Sequence, residues 1–339
     1  METRKVQQVG GGTYTVSIPI SWAEEHGIEA GETAYLYTHR DGSLVVRWGE
    51  REENALGAVA VDLAEFGADG SRGSTGSAAT VATRTLDAAY AAGFDRITLH
   101  TEDDAQREAI TDRARTLVGV DVAEQSDAHV SVKWLLEAGS LSIEQSVRQL
   151  RFVAASMFDA AMATFTGATA EAGYITDRTE ETDRLGRLIE RRFTRALMLF
   201  EELDRLDATR PQLFAGYRTA RELERVATEA AAIARAVERL EPAASTALAD
   251  EIRTAGEAAR EAVETATDAI TDGGSPATAQ RALDRAEAAT EHAVALHATV
   301  AEETPTDAVL LTRVLDSVRR TARGAETLGG IALQRSVRQ

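Results

Sequence analysis

The stretch RTARELERVATEAAAIARAVERL, residues 218–240, decides the architecture of this chain. Its apolar stripe consists of Leu223, Val226, Ala230, Ile233, Val237 and Leu240. These residues recur at alternating steps of three and four, so they form one narrow stripe on a helix that faces partner helices. A second copy follows: SVRRTARGA at 317–325 aligns without a gap with ELERVATEA at 222–230, an offset of 95 residues from 222 to 317. An internal repeat of this size predicts two similar helical bundles.

The whole chain after Ser140 carries stripes of the same helical spacing, separated by Gly and Pro residues. The pattern predicts six helices of about 25–30 residues, each on the order of 40 Å long. Ser142 is expected to cap the first helix, and Pro211, Pro276 and Pro305 are expected to open the third, fifth and sixth. We therefore expect two antiparallel three-helix bundles, at 140–241 and 242–339.

Composition limits the class of protein. The 339 residues carry 55 acidic and 37 basic side chains, a formal charge of −18, and all the basic residues except Lys5 and Lys133 are arginine. Abundant carboxylates with almost no lysine are typical of proteins from salt-loving organisms, and acidity then does not exclude a nucleic-acid partner. The absence of cysteine excludes disulfides and thiolate chemistry, and no signal peptide or apolar span of about 18 residues is found. These observations favour the cytoplasm.

The first 49 residues read as β-rich. Alternation over 13–18 predicts a strand that ends at Pro19, and Ser21 to Glu24 predicts a capping box that opens a short helix. Two strands, at 34–38 and 44–48, flank the turn residues Asp41-Gly42. A unit this small has little core, so we expect it to complete its sheet with a second copy, as a homodimer.

Residues 54–136 alternate strand and helix, which predicts a small α/β domain with one sheet and helices on one side. His100 and His129 lie at strand ends and are expected to be structural or solvated. The expected fold class is multidomain α+β: a small β-rich domain at 1–49, the α/β domain at 54–136 and the pair of three-helix bundles.

The N-terminal stretch resembles the AbrB/SpoVT/MazE swapped-hairpin family. The resemblance rests on the following segments: Arg4-Lys5-Val6-Gln7, the run from Gly10 to Pro19, Trp22, Gly27-Ile28-x-x-Gly31-Glu32 and Asp41-Gly42-Ser43-Leu44. It covers about 45 residues, and it implies an intertwined dimeric β-barrel that often binds DNA. Arg4, Lys5 and Arg47 are then the candidates for DNA contacts. The alternative is a dimerisation module without DNA binding, because the charge of 1–49 is −2 and Ile20 stands where archaeal members carry lysine.

The helical part resembles the PhoU family of phosphate-uptake regulators. The matching segments are Ser142-Ile143-Glu144-Gln145, Met157-Phe158-Asp159-Ala160, the run from Glu180 to Leu185, the run from Arg191 to Leu197, the run from Ala220 to Ala227, and Arg319-Arg320-Thr321-Ala322 in the second copy. The resemblance spans about 200 residues. Archaeal proteins that combine an AbrB-type with a PhoU-type domain are similar to this chain throughout.

The family motif implies a metal site made by an acid and an Asp four positions later, since carboxylates at this spacing project side by side. Here Glu224 is followed by Thr228, and the second copy has Arg319 and Arg323 at these positions. Glu181, Asp183 and Glu224 are the candidate metal ligands. At most a degenerate metal site is expected, and we expect no other cofactor. Arg319, Arg320 and Arg323 lie within one and a half turns and are candidates for binding an anion such as phosphate. The alternative is that they pair with surface acids.

No nucleophile, catalytic dyad or paired carboxylate in a pocket supports an enzyme. We therefore expect a phosphate-responsive, transcriptional regulator of phosphate uptake. One alternative is an adaptor that does not bind DNA and inhibits an ABC-type phosphate transporter by protein–protein contact. Another is a membrane-peripheral protein that binds a metal cluster. The partners expected besides DNA are a phosphate-transporter ATPase or a signalling protein.

Overall fold

The computed structural model describes residues 3–39, 42–48, 56–66, 78–136, 142–165, 172–206, 208–239, 246–303 and 307–338. The chain divides into two compact units, Met1–Ala55 and Leu56–Gln339. The fold is multidomain α+β, as predicted.

The first unit consists of two hairpins and one short helix. Its elements are β1 (Gln7–Val9), β2 (Thr13–Thr15), α1 (Ile20–Glu25), β3 (Ala34–Thr38) and β4 (Leu44–Trp48). β1 pairs with β2 and β3 with β4, both antiparallel. The predicted hairpin at 34–48 is confirmed, whereas the strand predicted at 13–18 ends at Thr15. The predicted capping box is wrong: the helix begins at Ile20 with Pro19 at its N-cap, and no side chain caps it.

The unit buries little of its apolar surface within one chain. Among its described residues only His39 is buried. Its exposed apolar side chains are Val6, Val9, Tyr14, Val16, Ile18, Ile20, Trp22, Leu36 and Leu44. A hairpin pair that leaves these side chains in water is not stable by itself.

The second unit begins with an α/β layer. Its elements are β5 (Ala58–Asp62), α2 (Ala78–Ala92), β6 (Arg96–His100), α3 (Asp104–Thr116), β7 (Val120–Gln125) and β8 (His129–Trp134). The strand order is β5-β6-β8-β7, with β5 and β6 parallel and the other pairs antiparallel. Leu86, Ile97 and Ile110 are buried between the sheet and the helices, whereas His100 is exposed. Asp103 caps α3 through the amides of Ala105 and Gln106.

Helices form the rest of the unit, and all of them except the six-residue α6 are long: α4 (Ile143–Phe165), α5 (Ala172–Met198), α6 (Phe200–Arg205), α7 (Arg210–Val237), α8 (Thr246–Thr271), α9 (Pro276–Glu303) and α10 (Ala308–Ser336). Ser142 accepts a hydrogen bond from the amide of Gln145, which confirms the predicted cap of α4. The predicted second helix is broken at Leu199, which has an extended backbone, so it forms α5 and α6. Leu240 and Pro305, which the sequence placed at helix ends, lie outside the described residues.

The two bundles share one continuous hydrophobic core. Leu223, Val226, Ala230 and Ile233 are all buried in it, as the opening stretch predicts. α4 packs against α8, and α7 packs against α10. The second contact is antiparallel, because Glu229 of α7 meets Arg320 while Arg218 meets Gln334 further along α10. The repeated stretches therefore pack against each other. Within the described part of the chain, no helix is long and apolar enough to span a membrane.

Candidate functional site

The three candidate DNA-binding residues all lie on the N-terminal unit and are exposed. Arg4 and Lys5 belong to the segment that precedes β1, and Arg47 lies on β4 opposite Tyr35 of β3. Their accessibility suits contacts with a phosphate backbone. DNA binding by these residues stays a prediction.

Glu224 of α7 has an unusual position for a carboxylate. Its side chain is only 18% exposed, and a side chain at Gly186 of α5 would collide with it. Burial is the main reason why the pKa of Glu224 is raised to about 7, with nearby Glu190 and Asp183 raising it further. Arg221, whose Nη1 lies 2.8 Å from Oε2 of Glu224, opposes this rise, because its positive charge lowers the pKa of the carboxyl. The glycine thus provides the space in which the carboxylate packs against α5.

Thr228 does not replace the missing second acid. Its hydroxyl donates a 2.9 Å hydrogen bond to the backbone carbonyl of Glu224, so it points along its own helix. It leaves the Glu224 carboxylate with Arg221 as its hydrogen-bonded partner.

The structure separates two of the metal candidates. Glu181 and Asp183 lie two residues apart on α5, which is about 200° around a helix. Glu181 pairs with Arg178 at 2.7 Å and accepts a 3.3 Å hydrogen bond from Gln149 of α4, whereas Asp183 lies near Glu224. The described residues contain no group of three or more His, Cys, Asp or Glu side chains arranged to hold a metal ion. This donor set does not fit a metal cluster, and binding of a single cation near Glu224 stays a prediction.

Two of the three candidate anion-binding arginines on α10 lie beside acids. Arg319 is 3.0 Å from Asp316, which also lies 3.4 Å from Nε2 of His297. Arg320 is 2.8 Å from Glu229 of α7, and this hydrogen bond raises the pKa of Arg320 above its ordinary value. Arg323 is exposed on the same helix. Anion binding by this set stays a prediction.

A further set of arginines, which are not among the candidate site residues predicted from the sequence, connects α5 to the α/β layer. Arg191 is completely buried between two aromatic rings, with its guanidinium carbon 5.1 Å from the ring centre of Tyr90 and 4.3 Å from that of Trp134. It donates a 2.9 Å hydrogen bond to the carbonyl of Tyr90, and its Nη2 lies 3.5 Å from Asp95. Burial lowers the pKa of Arg191 to about 10, so the group is still charged at neutral pH.

Two neighbours of Arg191 extend this contact. Arg195 donates 2.6 Å hydrogen bonds to the carbonyl of Gly93 and the carboxylate of Asp95. Arg187 lies 3.2 Å from Asp87 of α2. Arg187, Arg191 and Arg195 recur at four-residue spacing on α5, and this spacing is the sequence signal that places them on one face of the helix. We call Arg187, Arg191 and Arg195 the α5 arginine face.

The architecture defines a class of protein: a helical double bundle with an α/β layer, preceded by a small two-hairpin domain. The family model described as PhoU domain matches residues 147–237, and the model described as Antidote-toxin recognition MazE, bacterial antitoxin, matches residues 7–51. The chain therefore carries a MazE/AbrB-type domain followed by a PhoU domain, which confirms both resemblances. The PhoU match covers α5 to α7 and most of α4. A search of curated proteins found no match.

Proposed function

We propose that this protein is a phosphate-responsive transcriptional regulator that controls phosphate uptake in the cytoplasm. One observation carries the proposal: a MazE/AbrB-type domain with exposed apolar side chains precedes a PhoU domain in the same chain. Regulation of phosphate uptake comes from the PhoU resemblance, and DNA binding comes from the MazE/AbrB resemblance. The domains at 1–49, 54–136, 140–241 and 242–339 are the units of this proposal.

The N-terminal unit acts as a homodimer. A second copy would cover apolar side chains such as Tyr14 and Leu36, which are 70% and 64% exposed in the single chain. Covering them is favourable by about 25 cal/mol for each Å² of apolar surface removed from water. In the dimer, Arg4, Lys5 and Arg47 would be present twice, which suits a DNA site with two related halves.

The α5 arginine face supports coupling of the bundles to the α/β layer. A displacement of α5 changes the positions of Arg191 and Arg195, which hold the carbonyls of Tyr90 and Gly93. Both carbonyls lie at the end of α2, next to the strand β6. The α/β layer follows the N-terminal unit directly in sequence, so it is the segment through which a change in the bundles reaches that unit.

Charge favours a second candidate function, an adaptor that inhibits an ABC-type phosphate transporter by protein contact and does not bind DNA. Residues 1–49 carry the basic side chains of Arg4, Lys5, Arg40 and Arg47 against six Asp and Glu residues. DNA-binding surfaces are ordinarily basic. In this case the N-terminal unit only dimerises the protein.

A mobility-shift experiment in molar KCl, with DNA from upstream of the protein's own gene, separates the two functions. We expect a sequence-selective shift that is lost in the Arg4→Ala/Lys5→Ala/Arg47→Ala variant. Arg115→Ala is the matched control, because Arg115 is an exposed arginine on α3 that pairs with Asp112. Absence of a selective shift, together with co-purification of a transporter ATPase, would support the adaptor and contradict the regulator.

A further inference from the structure

A cavity of 260 Å³ lies where the start of α7 meets the end of α10. Three arginines line it: Arg218 on α7, Arg335 on α10 and Arg338 just beyond the end of α10. Among the described residues that line it there is no Asp or Glu. The chain has 55 acidic and 37 basic residues, so a described lining with three arginines and no acid differs strongly from the average surface. Like charges gathered around one cavity repel each other unless an anion lies between them.

These arginines retain most of their hydrogen-bonding capacity. Arg218 lies 5.7 Å from the ring centre of Phe214 and donates one long, 3.4 Å hydrogen bond to Gln334. Arg335 lies 3.3 Å from Glu144, which is itself 52% exposed. Arg338 has no ion-pair partner among the residues that the structure describes. A guanidinium carries five N–H donors, so the three groups offer many donors that the protein does not use.

A second cavity of 310 Å³ adjoins the first, because Arg335 and Gln212 line both. Its walls are mostly apolar, with Ile143, Leu213 and Ile270 among them. Pockets of about 300–1,000 Å³ are typical sites for small organic ligands. The first cavity is therefore basic, and the second cavity beside it is mostly apolar.

We propose that these two cavities bind a small organic phosphate. The phosphate group lies among Arg218, Arg335 and Arg338, since guanidinium groups form paired hydrogen bonds with phosphate oxygens. The organic part lies against Phe214 or in the apolar cavity. The proposal deepens the proposed function by locating its effector, and it rests on that function for the choice of phosphate among anions. The proposed phosphate site lies at the end of α10, and the arginines predicted from the sequence, Arg319, Arg320 and Arg323, are not part of it.

The position of the site gives the ligand a role. The cavity walls come from α4 and α7 of the first bundle and from α8 and α10 of the second. A ligand held by Arg218 on one side and by Arg335 and Arg338 on the other bridges the two bundles. Its binding free energy adds to the stability of their packing, because the ligand binds the assembled state and not the unfolded chain.

Isothermal titration calorimetry on the full chain in molar KCl tests the site. The probes are AMP, glycerol 3-phosphate and inorganic phosphate, with adenosine and sulfate as controls. We expect an organic phosphate to bind more tightly than inorganic phosphate, and adenosine not to bind. Arg218→Ala, Arg335→Ala and Arg338→Ala should each weaken binding by about ten- to a hundred-fold, as expected for loss of a charged hydrogen bond. Phe214→Ala should weaken binding of the organic phosphate and leave that of inorganic phosphate unchanged.

Arg319→Ala and Arg323→Ala are the matched controls, because both residues lie on α10 but do not line the cavities. Thermal unfolding followed by circular dichroism checks that every variant is folded. Binding that is lost in these controls and kept in Arg218→Ala overturns the proposal, as does absence of binding for all three phosphate probes. Binding of inorganic phosphate, but of neither AMP nor glycerol 3-phosphate, would overturn the proposal that the ligand is an organic phosphate. Failure of binding with an intact DNA shift contradicts this inference only, and binding without a shift contradicts only the regulator.

Discussion

The guanidinium carbon of Arg191 lies 4.3 Å from the centre of the Trp134 ring, which joins a helix of the PhoU domain to the last strand of the α/β layer. Arg191 has no exposed surface, and its Nε has no hydrogen-bond partner among the described residues. The two aromatic faces therefore compensate part of the cost of burying this charge.

Replacing this arginine should loosen the α/β layer. Arg191→Ala removes the hydrogen bond to Tyr90 and leaves a cavity between two rings, so we expect a loss of about 3 kcal/mol in the free energy of unfolding. Trp134 fluorescence during urea unfolding, with Trp22 and Trp48 replaced by Phe, measures it. Arg115→Ala, which removes an exposed pair, should change the free energy by less than about 0.5 kcal/mol. Equal unfolding midpoints for the two variants would contradict a structural role for Arg191.

The raised pKa of Glu224 predicts a pH dependence. The pKa of its carboxyl is about 7 in the folded protein against an ordinary value of 4.5, so the folded state holds the proton more tightly. The stability that this proton contributes is fully present below pH 4.5 and is lost as the pH rises through about 7.

The Glu224→Gln variant should not lose this stability as the pH rises, because the glutamine side chain does not titrate. Relative to wild type it should gain on the order of 1–3 kcal/mol in the free energy of unfolding between pH 5 and pH 8. Urea unfolding at a series of pH values measures the difference. Glu181→Gln, on the neighbouring helix, is the control for removing a carboxylate and should show no such gain. A difference between wild type and Glu224→Gln that does not depend on pH would show that the carboxyl does not titrate in this range.

The exposed apolar side chains of the N-terminal unit predict a dimer. Wild type should have twice the 36.3 kDa mass of one chain in light scattering coupled to size exclusion. The Leu36→Asp/Val16→Asp variant should be monomeric, because it would bury two carboxylates in the dimer contact. Val309→Asp is the control, since Val309 is a 69% exposed residue of α10. A monomeric wild type would contradict both proposed functions.

Thr228 predicts a gain of cation binding when it is made acidic. Thr228→Asp places a carboxylate four residues after Glu224, in a region that already holds Asp183. Mn²⁺ binding, followed by calorimetry, should be tighter than in wild type by at least about ten-fold, or 1.4 kcal/mol. Thr254→Asp makes a similar spacing with Asp250 on α8 and should show a smaller gain. Equal Mn²⁺ affinities for the two variants would show that Asp183 of α5 does not contribute to cation binding.

Local pattern predicted much of the architecture. The steps of three and four in the opening stretch identify four residues that are buried in α7, namely Leu223, Val226, Ala230 and Ile233. The buried face is wider than the predicted stripe, since Ala220, Ala227 and Ala231 are buried beside it and Val237 is only partly buried. The break at Leu199 was not predicted, since the apolar pattern continues across it. The capping box predicted at Ser21 does not form, because the helix already begins at Ile20 with Pro19 at its N-cap.

The site was harder to predict because its partners are distant in sequence. The acid of Glu224 could be identified from a motif, but its burial depends on Gly186 of another helix. The burial of Arg191 depends on rings that come from α2 and β8. The arginine cavity joins residues of α7 and α10 that lie more than 100 positions apart, as the 116-residue separation of Arg218 and Gln334 illustrates. The spacing of residues within one segment does not predict contacts between segments that are distant in sequence.

The contact of α7 with α10 has a consequence for how the two repeats diverged. Glu229 of the first copy binds Arg320, but its counterpart in the second copy is Gly324, and Arg225, the counterpart of Arg320, pairs with Glu222 of its own helix. The ion pair of Glu229 with Arg320 therefore has no equivalent at the position that the repeat relates to it. The contact of α7 with α10 is asymmetric in its charges, although the two stretches that form it are similar in sequence.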